Sequence, residues 1–397
     1  GFQQGLALNH RRKRQFILLS QPLWDDVTDE LLACTLLKTL YSIGLLSVVG
    51  IIVSGPVQPQ SSQNPNFDSL TKIKEVLAQL GLSNIPVHFS AYASKDMNDK
   101  LKQLYEKVGP AGASLVVTGC LGSVLNFAKA NRETFQEKTQ IVVHAGGARL
   151  ESNIRKSTLT REQILVPDLE AQANLHDKQA SIDFYHMMQT SFLVPMRIIS
   201  RHCIQELKMP TELFAELQSR GGSVGSMLHE ARTAYVQRLW EVARDKLEAP
   251  NPSATLAINR AGFLARYCAE GYLEHHGRDI PPMNSILIYT SLAILAAFPQ
   301  VFNHGFNCQE ADVRSIRHHI VGADKMDSGV RDVNFLHSLM YQCFFKGCFG
   351  NASEFPTQEA AAVKLQESSD YWRYDKDDKN LQWLRETGNR SPVIGQI

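Results

Sequence analysis

The first third of the chain alternates short, uninterrupted apolar runs with amphipathic stretches, and that alternation leaves few folds open. "QFILLSQ" (Gln15 to Gln21), "LLSVVGIIVSG" (Leu45 to Gly55), "IPVHFSA" (Ile85 to Ala91), Leu115 to Thr118 and "IVVHAGG" (Ile141 to Gly147) read as strands buried on both faces. Between them lie "TDELLACTLLKTLYSI", with Thr28 placed as N-cap, "FDSLTKIKEVLAQLGL", closed by Gly81, and "SVLNFAKAN", all with helical spacing. Strand and helix in turn imply a mostly parallel sheet with helices on both faces. Ligands of such a sheet sit beyond the carboxyl ends of its strands. Here those ends are Ser20 to Asp29, Ser54-Gly55, Thr118-Gly119 and His144 to Gly147.

After Asn153 the alternation weakens. "DKQASIDFYHMMQTS" reads as helix, "FLVPMRII" as strand, and Ile204 to about Leu247 as helices broken at Gly221-Gly222. From Ile280 to Gln309 there is no Lys, Arg, Asp or Glu, but Pro281-Pro282 and Pro299 bracket "SILIYTSLAILAAF". That run is short of the roughly 20 residues a membrane span requires, so it is expected to be a buried core helix. From Glu310 the chain turns polar and charge-mixed. The expected division is an N-terminal arm over residues 1–14, a main domain over 15–309 and a helical or irregular C-terminal extension over 310–397.

Bulk charge excludes little beyond a nucleic-acid-binding surface. The 397 residues carry 41 Lys and Arg against 40 Asp and Glu, so nothing global draws a nucleic acid. The seven cysteines form no CxxC pair and read as free thiols of a reducing compartment. A start at Gly1 followed by "NHRRKR" fits a processed mitochondrial precursor, with a cytoplasmic protein as the alternative.

Four blocks resemble the inosine-uridine nucleoside hydrolase family. Its first motif, D-x-D-P-G-x-D-D-x-x-A, falls without gaps on Leu23 to Ala33, which places Asp25, Asp29 and Glu30 on acidic positions and Leu23 on the first aspartate. "LVVTGCLGSVLNFA" is similar to the strand, T-G-P-L-T-N and helix block, and Thr118 takes the place of a backbone-carbonyl ligand to calcium. "IVVHAGG" is similar to the strand ending in M-G-G, with His144 for Met. "EAQANLHDKQA" is similar to E-F-N-x-x-x-D-P-x-A, with Gln172 for the substrate-binding Glu, and Asn174, Asp177 and Ala180 retained. The family's closing H-D pair would fall on Ile288-Tyr289 or on Asn284-Ser285, and neither register supplies an Asp.

The resemblance implies a nucleoside-hydrolase-like fold and, in an active member, a calcium ion that activates water to cleave an N-ribosidic bond. It assigns Asp25 as base and ligand, Asp29, Glu30 and Thr118 as residual metal ligands, and Gln172, Asn174 and His144 to the substrate. Calcium takes six to eight oxygens, several of them anionic. The missing Asp therefore implies a degenerate site with no cofactor or only residual calcium. The expected role is a structural or accessory subunit of a larger, possibly mitochondrial, protein assembly, joined through the C-terminal extension. An active ribonucleoside hydrolase and a non-catalytic nucleoside sensor stand as alternatives. Each residue also has a plainer reading. The acidic run Asp25 to Glu30 suits a first helical turn, His144 a satisfied pocket histidine, and Asn174 and Asp177 the start of a helix. His275-His276 and His318-His319, if helical, point apart and would need further partners to bind metal. Tyr371, Trp372 and Tyr374 read as a packing anchor or an interface hot spot.

Overall fold

The computed structural model describes residues 13–21, 27–55, 65–91, 94–154, 161–244, 286–313, 316–324 and 326–349, together with Arg260, Phe263, Leu264 and Cys268. The expected strands are β1 (Arg14–Ser20), β2 (Leu46–Gly55), β3 (Val87–Ala91), β4 (Ala113–Val117) and β5 (Thr139–His144). The helices between them are α1 (Thr28–Ser42), α2 (Pro65–Gln79), α3 (Lys95–Lys107), α4 (Gly122–Ala130) and α5 (Arg132–Lys138). Then come an antiparallel ribbon of β6 (Ala148–Ile154) and β7 (Arg161–Pro167), α6 (Gln172–Leu175), and α7 (Lys178–Met187) with a π-helical turn over Met188–Phe192. The next are β8 (Met196–Ile199), α8 (Arg201–Glu206), α9 (Glu212–Arg220) and α10 (Gly222–Arg244). The described chain closes with α11 (Thr290–Ala296), α12 (Pro299–Gly305), β9 (Gln309–Val313), β10 (Ile316–Val321) and α13 (Val333–Cys348).

Eight strands join in the order β3-β2-β1-β4-β5-β8-β10-β9, all pairs parallel except β10 with β9. This is the expected mostly parallel α/β sheet. Alternation along β1 divides the core into two layers. Phe16 and Leu18 join a layer with α1, α2, α9, α11 and α13, while Ile17 and Leu19 join one with α3, α4 and α7. Helices thus cover both faces, which is why β1 and β4 carry no polar alternation.

Helix α3 and the β6–β7 ribbon were not anticipated. The division at residue 309 does not coincide with a change in packing: β9 and β10 extend the main sheet, and α13 lies against α1 with Leu336, Leu339, Met340 and Phe344 fully buried. The apolar run of α13 was hidden among polar neighbours. His318-His319 lies on a strand rather than a helix. The core helix in the uncharged stretch begins only at Thr290, and all seven of its residues are buried. Among the described residues no helix is long and apolar enough to cross a membrane. The N-terminal arm, His275-His276 and the aromatic cluster Tyr371 to Tyr374 lie outside the described residues.

Candidate functional site

Strand order reverses between β1 and β4, because β2 and β3 continue to one side of β1 and β5 to the other. A doubly wound sheet opens a crevice at such a point. Gly119, just past β4, makes close approach possible: a Cβ there would collide with Gln21, whose Oε1 accepts from the Cys120 N–H at 2.9 Å. The first turn of α1 enters the same crevice. Glu30 is buried and accepts a hydrogen bond from the Ser20 hydroxyl, while the Ser54 hydroxyl donates to the Ser20 carbonyl at 3.2 Å.

Asp29 reaches across to the late core helix. Its Oδ2 accepts from the backbone N–H of Tyr289 at 3.0 Å and of Thr290 at 2.7 Å, the residues that open α11. A helix N-terminus presents unpaired N–H groups and a partial positive charge, so a carboxylate there is a strong cap. The Thr290 hydroxyl donates to that of Thr118 at 3.3 Å. The structure thus joins three predicted residues, Asp29, Glu30 and Thr118, with Ser20 and Thr290, which sequence reading missed. Thr290 lies one residue beyond the Ile288-Tyr289 register, and only the start of the helix could have pointed to it. Asn284-Ser285 and Asp25 lie outside the described residues.

A second cluster adjoins the first through β5, whose His144 pairs in register with Val117. The Tyr185 hydroxyl donates to the Gly147 carbonyl at 3.2 Å, so His144 Nδ1–H is the donor in the 3.0 Å contact with that hydroxyl. Nε2 is buried without a hydrogen-bond partner among the described residues. Burial pushes the imidazole down to about 3, against a weaker upward pull from the Gly119 backbone, whose contact falls short of hydrogen-bond geometry. The ring rests on Gly146, where any Cβ would collide with it. Asn174 is fully buried, and its Nδ2 faces three carbonyl oxygens: Gly146 at 2.7 Å, Asp168 at 2.9 Å and Gly147 at 3.3 Å. It ties the end of β5 to the loop after β7. Gln172 is half-buried at the head of α6, and its side chain makes no hydrogen bond with a described residue. Asp177 caps α7, accepting from the Ala180 N–H at 3.0 Å, which is its plainer reading.

Asp29 serves two backbone N–H groups, Glu30 serves Ser20, and the Asn174 amide serves carbonyls. The hydroxyls of Thr118 and Thr290 meet each other. Burial keeps the His144 imidazole neutral.

No family model matches the sequence, and no curated protein matches it either. Solved structures do match. The type III effector XopQ, complexed with adenosine diphosphate ribose, superposes with a TM-score of 0.62 at 16% identity, over 85% of this chain and 93% of that one. The effector XOO4466 gives 0.63 at 17%, over 85% and 95%. The inosine-uridine preferring nucleoside hydrolase of Bacillus anthracis gives 0.48 at 11%, over 85% and 99%. The chain shares its fold with the two effectors.

Proposed function

We propose that this chain is a nucleoside-hydrolase-like protein without calcium-dependent hydrolysis, acting as a structural or accessory subunit of a larger protein assembly. One observation carries the reading: the Asp29 carboxylate caps α11 at 2.7 and 3.0 Å. An active member would need that end of the helix to supply an anionic ligand. Here it supplies N–H groups, and the carboxylate opposite is bound to them. Removing one carboxylate from a calcium shell and engaging another weakens both metal binding and activation of water. The partner-facing segment in this proposal is the stretch beyond residue 350, with its aromatic cluster Tyr371, Trp372 and Tyr374.

A second reading is favoured by the effector of the same fold that was solved with adenosine diphosphate ribose. In it the strand-end crevice keeps a ribose-containing ligand without cleaving it. The backbone donors at the head of α4 and the hydroxyls of Thr118 and Thr290 would hold sugar hydroxyls or phosphate oxygens there.

The test is a panel of ribonucleosides and adenosine diphosphate ribose, offered to the purified protein with millimolar calcium. Release of base and ligand-induced thermal shift are both measured. Neither response supports the scaffold reading, and a shift without release supports the second. Calcium-dependent release of base that Asp29→Ala abolishes would overturn both.

A further inference from the structure

A second group of ligand-type side chains lies away from the switch point, on the antiparallel edge of the sheet. It follows from register. Cys308 and Glu310 are two residues apart entering β9, so both point to one face. Glu310 pairs directly with His319 of β10. On the other side of His319 lies Arg197 of β8, so Glu310, His319 and Arg197 form one row across three strands. One sulfur, one carboxylate oxygen and one imidazole nitrogen thereby lie within 4.8 Å of one another.

The geometry points to a site for a divalent, borderline-soft cation, zinc above all, held by Cys308 Sγ, Glu310 Oε1 and His319 Nε2 with one position left to water. Thiolate, imidazole and carboxylate are the ligand types zinc prefers, and tetrahedral ligands at 2.0–2.3 Å from the metal stand about 3.3–3.8 Å apart. The His319 Nε2 to Glu310 Oε1 separation is already 3.7 Å. The sulfur lies within 4.8 Å of both. Glu310 is predisposed to bind through one oxygen, since its Oε2 meets Arg317 NH1 at 3.1 Å. The imidazole is set edge-on to Phe302, centroids 5.4 Å apart, which fixes its plane. Burial, with Glu310 adding to it, raises the Cys308 thiol against weaker pulls from Arg197 and Arg331, while burial and then Arg197 lower the His319 imidazole. A dication between the thiolate and Glu310 would remove their mutual repulsion.

Cobalt(II) is the probe, titrated into the metal-stripped full chain, because its thiolate charge-transfer and visible bands report sulfur ligation and tetrahedral geometry. We expect one cobalt per chain with both bands, displaced by equimolar zinc. Cys308→Ser should abolish the charge-transfer band and weaken binding at least about 100-fold. Glu310→Gln should keep the band and weaken binding about tenfold or more. Cys268→Ser, the control at another partly exposed thiol, should change nothing. Should Cys308→Ser misfold by circular dichroism, Glu310→Gln decides. Absence of a stoichiometric band, a band that survives Cys308→Ser in the folded protein, or unchanged affinity in Glu310→Gln would overturn the site.

Discussion

The switch-point crevice and the sheet edge hold similar side chains in opposite states. In the crevice Asp29 is bound to α11, Glu30 to Ser20 and the Asn174 amide nitrogen to backbone carbonyls, while Gln172 makes no hydrogen bond with a described residue. At the edge, Cys308, Glu310 and His319 converge on one another, with Glu310 also paired to Arg317. Polar groups that satisfy one another stabilise a fold and lose availability for ligands, whereas converging donors left unsatisfied keep it. In the proposed reading, the place where the topology expects chemistry serves stability. The peripheral position has retained the means to bind an ion.

If the crevice residues are structural, altering them should cost stability first. The largest effect is expected for Asn174→Asp, which sets an acceptor against three carbonyl oxygens in a fully buried position. Loss of about 3 kcal/mol or more in urea unfolding is predicted. A fully folded, near-native variant would contradict the role given to Asn174. Asp29→Ala removes two charge-assisted bonds from the head of α11 and should cost about 2–3 kcal/mol, with Asp29→Asn recovering part of it.

Acid should come next. His144 falls from 6.5 to about 3 and His318 to about 4 in the folded protein, chiefly through burial. The unfolded chain therefore binds more protons below pH 6.5, so stability is intact above that pH and declines as pH falls toward the folded values. Each histidine contributes a loss of about 1.4 kcal/mol per pH unit across its window. Unfolding measured at pH 7, 6 and 5 should show that slope, and His144→Phe should flatten it by one histidine's share. The smallest effect belongs to the edge. Cys308→Ser and Glu310→Gln, in metal-free buffer, should shift stability by about 0.5 kcal/mol or less. A larger loss would mean that the edge residues, like those of the crevice, are structural.

Much of the frame could be read from the sequence because a two-sided sheet needs uninterrupted apolar strands, as in β1 and β4. The β6–β7 ribbon could not, since its strands carry Arg149, Glu151, Glu162 and Gln163 among few apolar residues. Helix α13 was concealed by the charged residues before it, although its own sequence is apolar. In the site, the motif spacing found Asp29, Glu30 and Thr118 but not what they bind. Thr290 and Ser20 became visible only with the packing, because a hydroxyl in an apolar run has no periodicity of its own. Likewise, Cys308 and His319 are eleven residues apart in number, and only the β9–β10 register brings them together.

The most direct test of the central claim is the unfolding free energy of wild type and Asp29→Ala, each without calcium and with millimolar calcium. A cap predicts the same loss of about 2–3 kcal/mol in both buffers and no calcium stabilisation of either protein. A working calcium ligand predicts otherwise. Wild type would gain about 2.7 kcal/mol at a hundredfold excess over the dissociation constant, and Asp29→Ala would gain little. That second pattern would contradict the account.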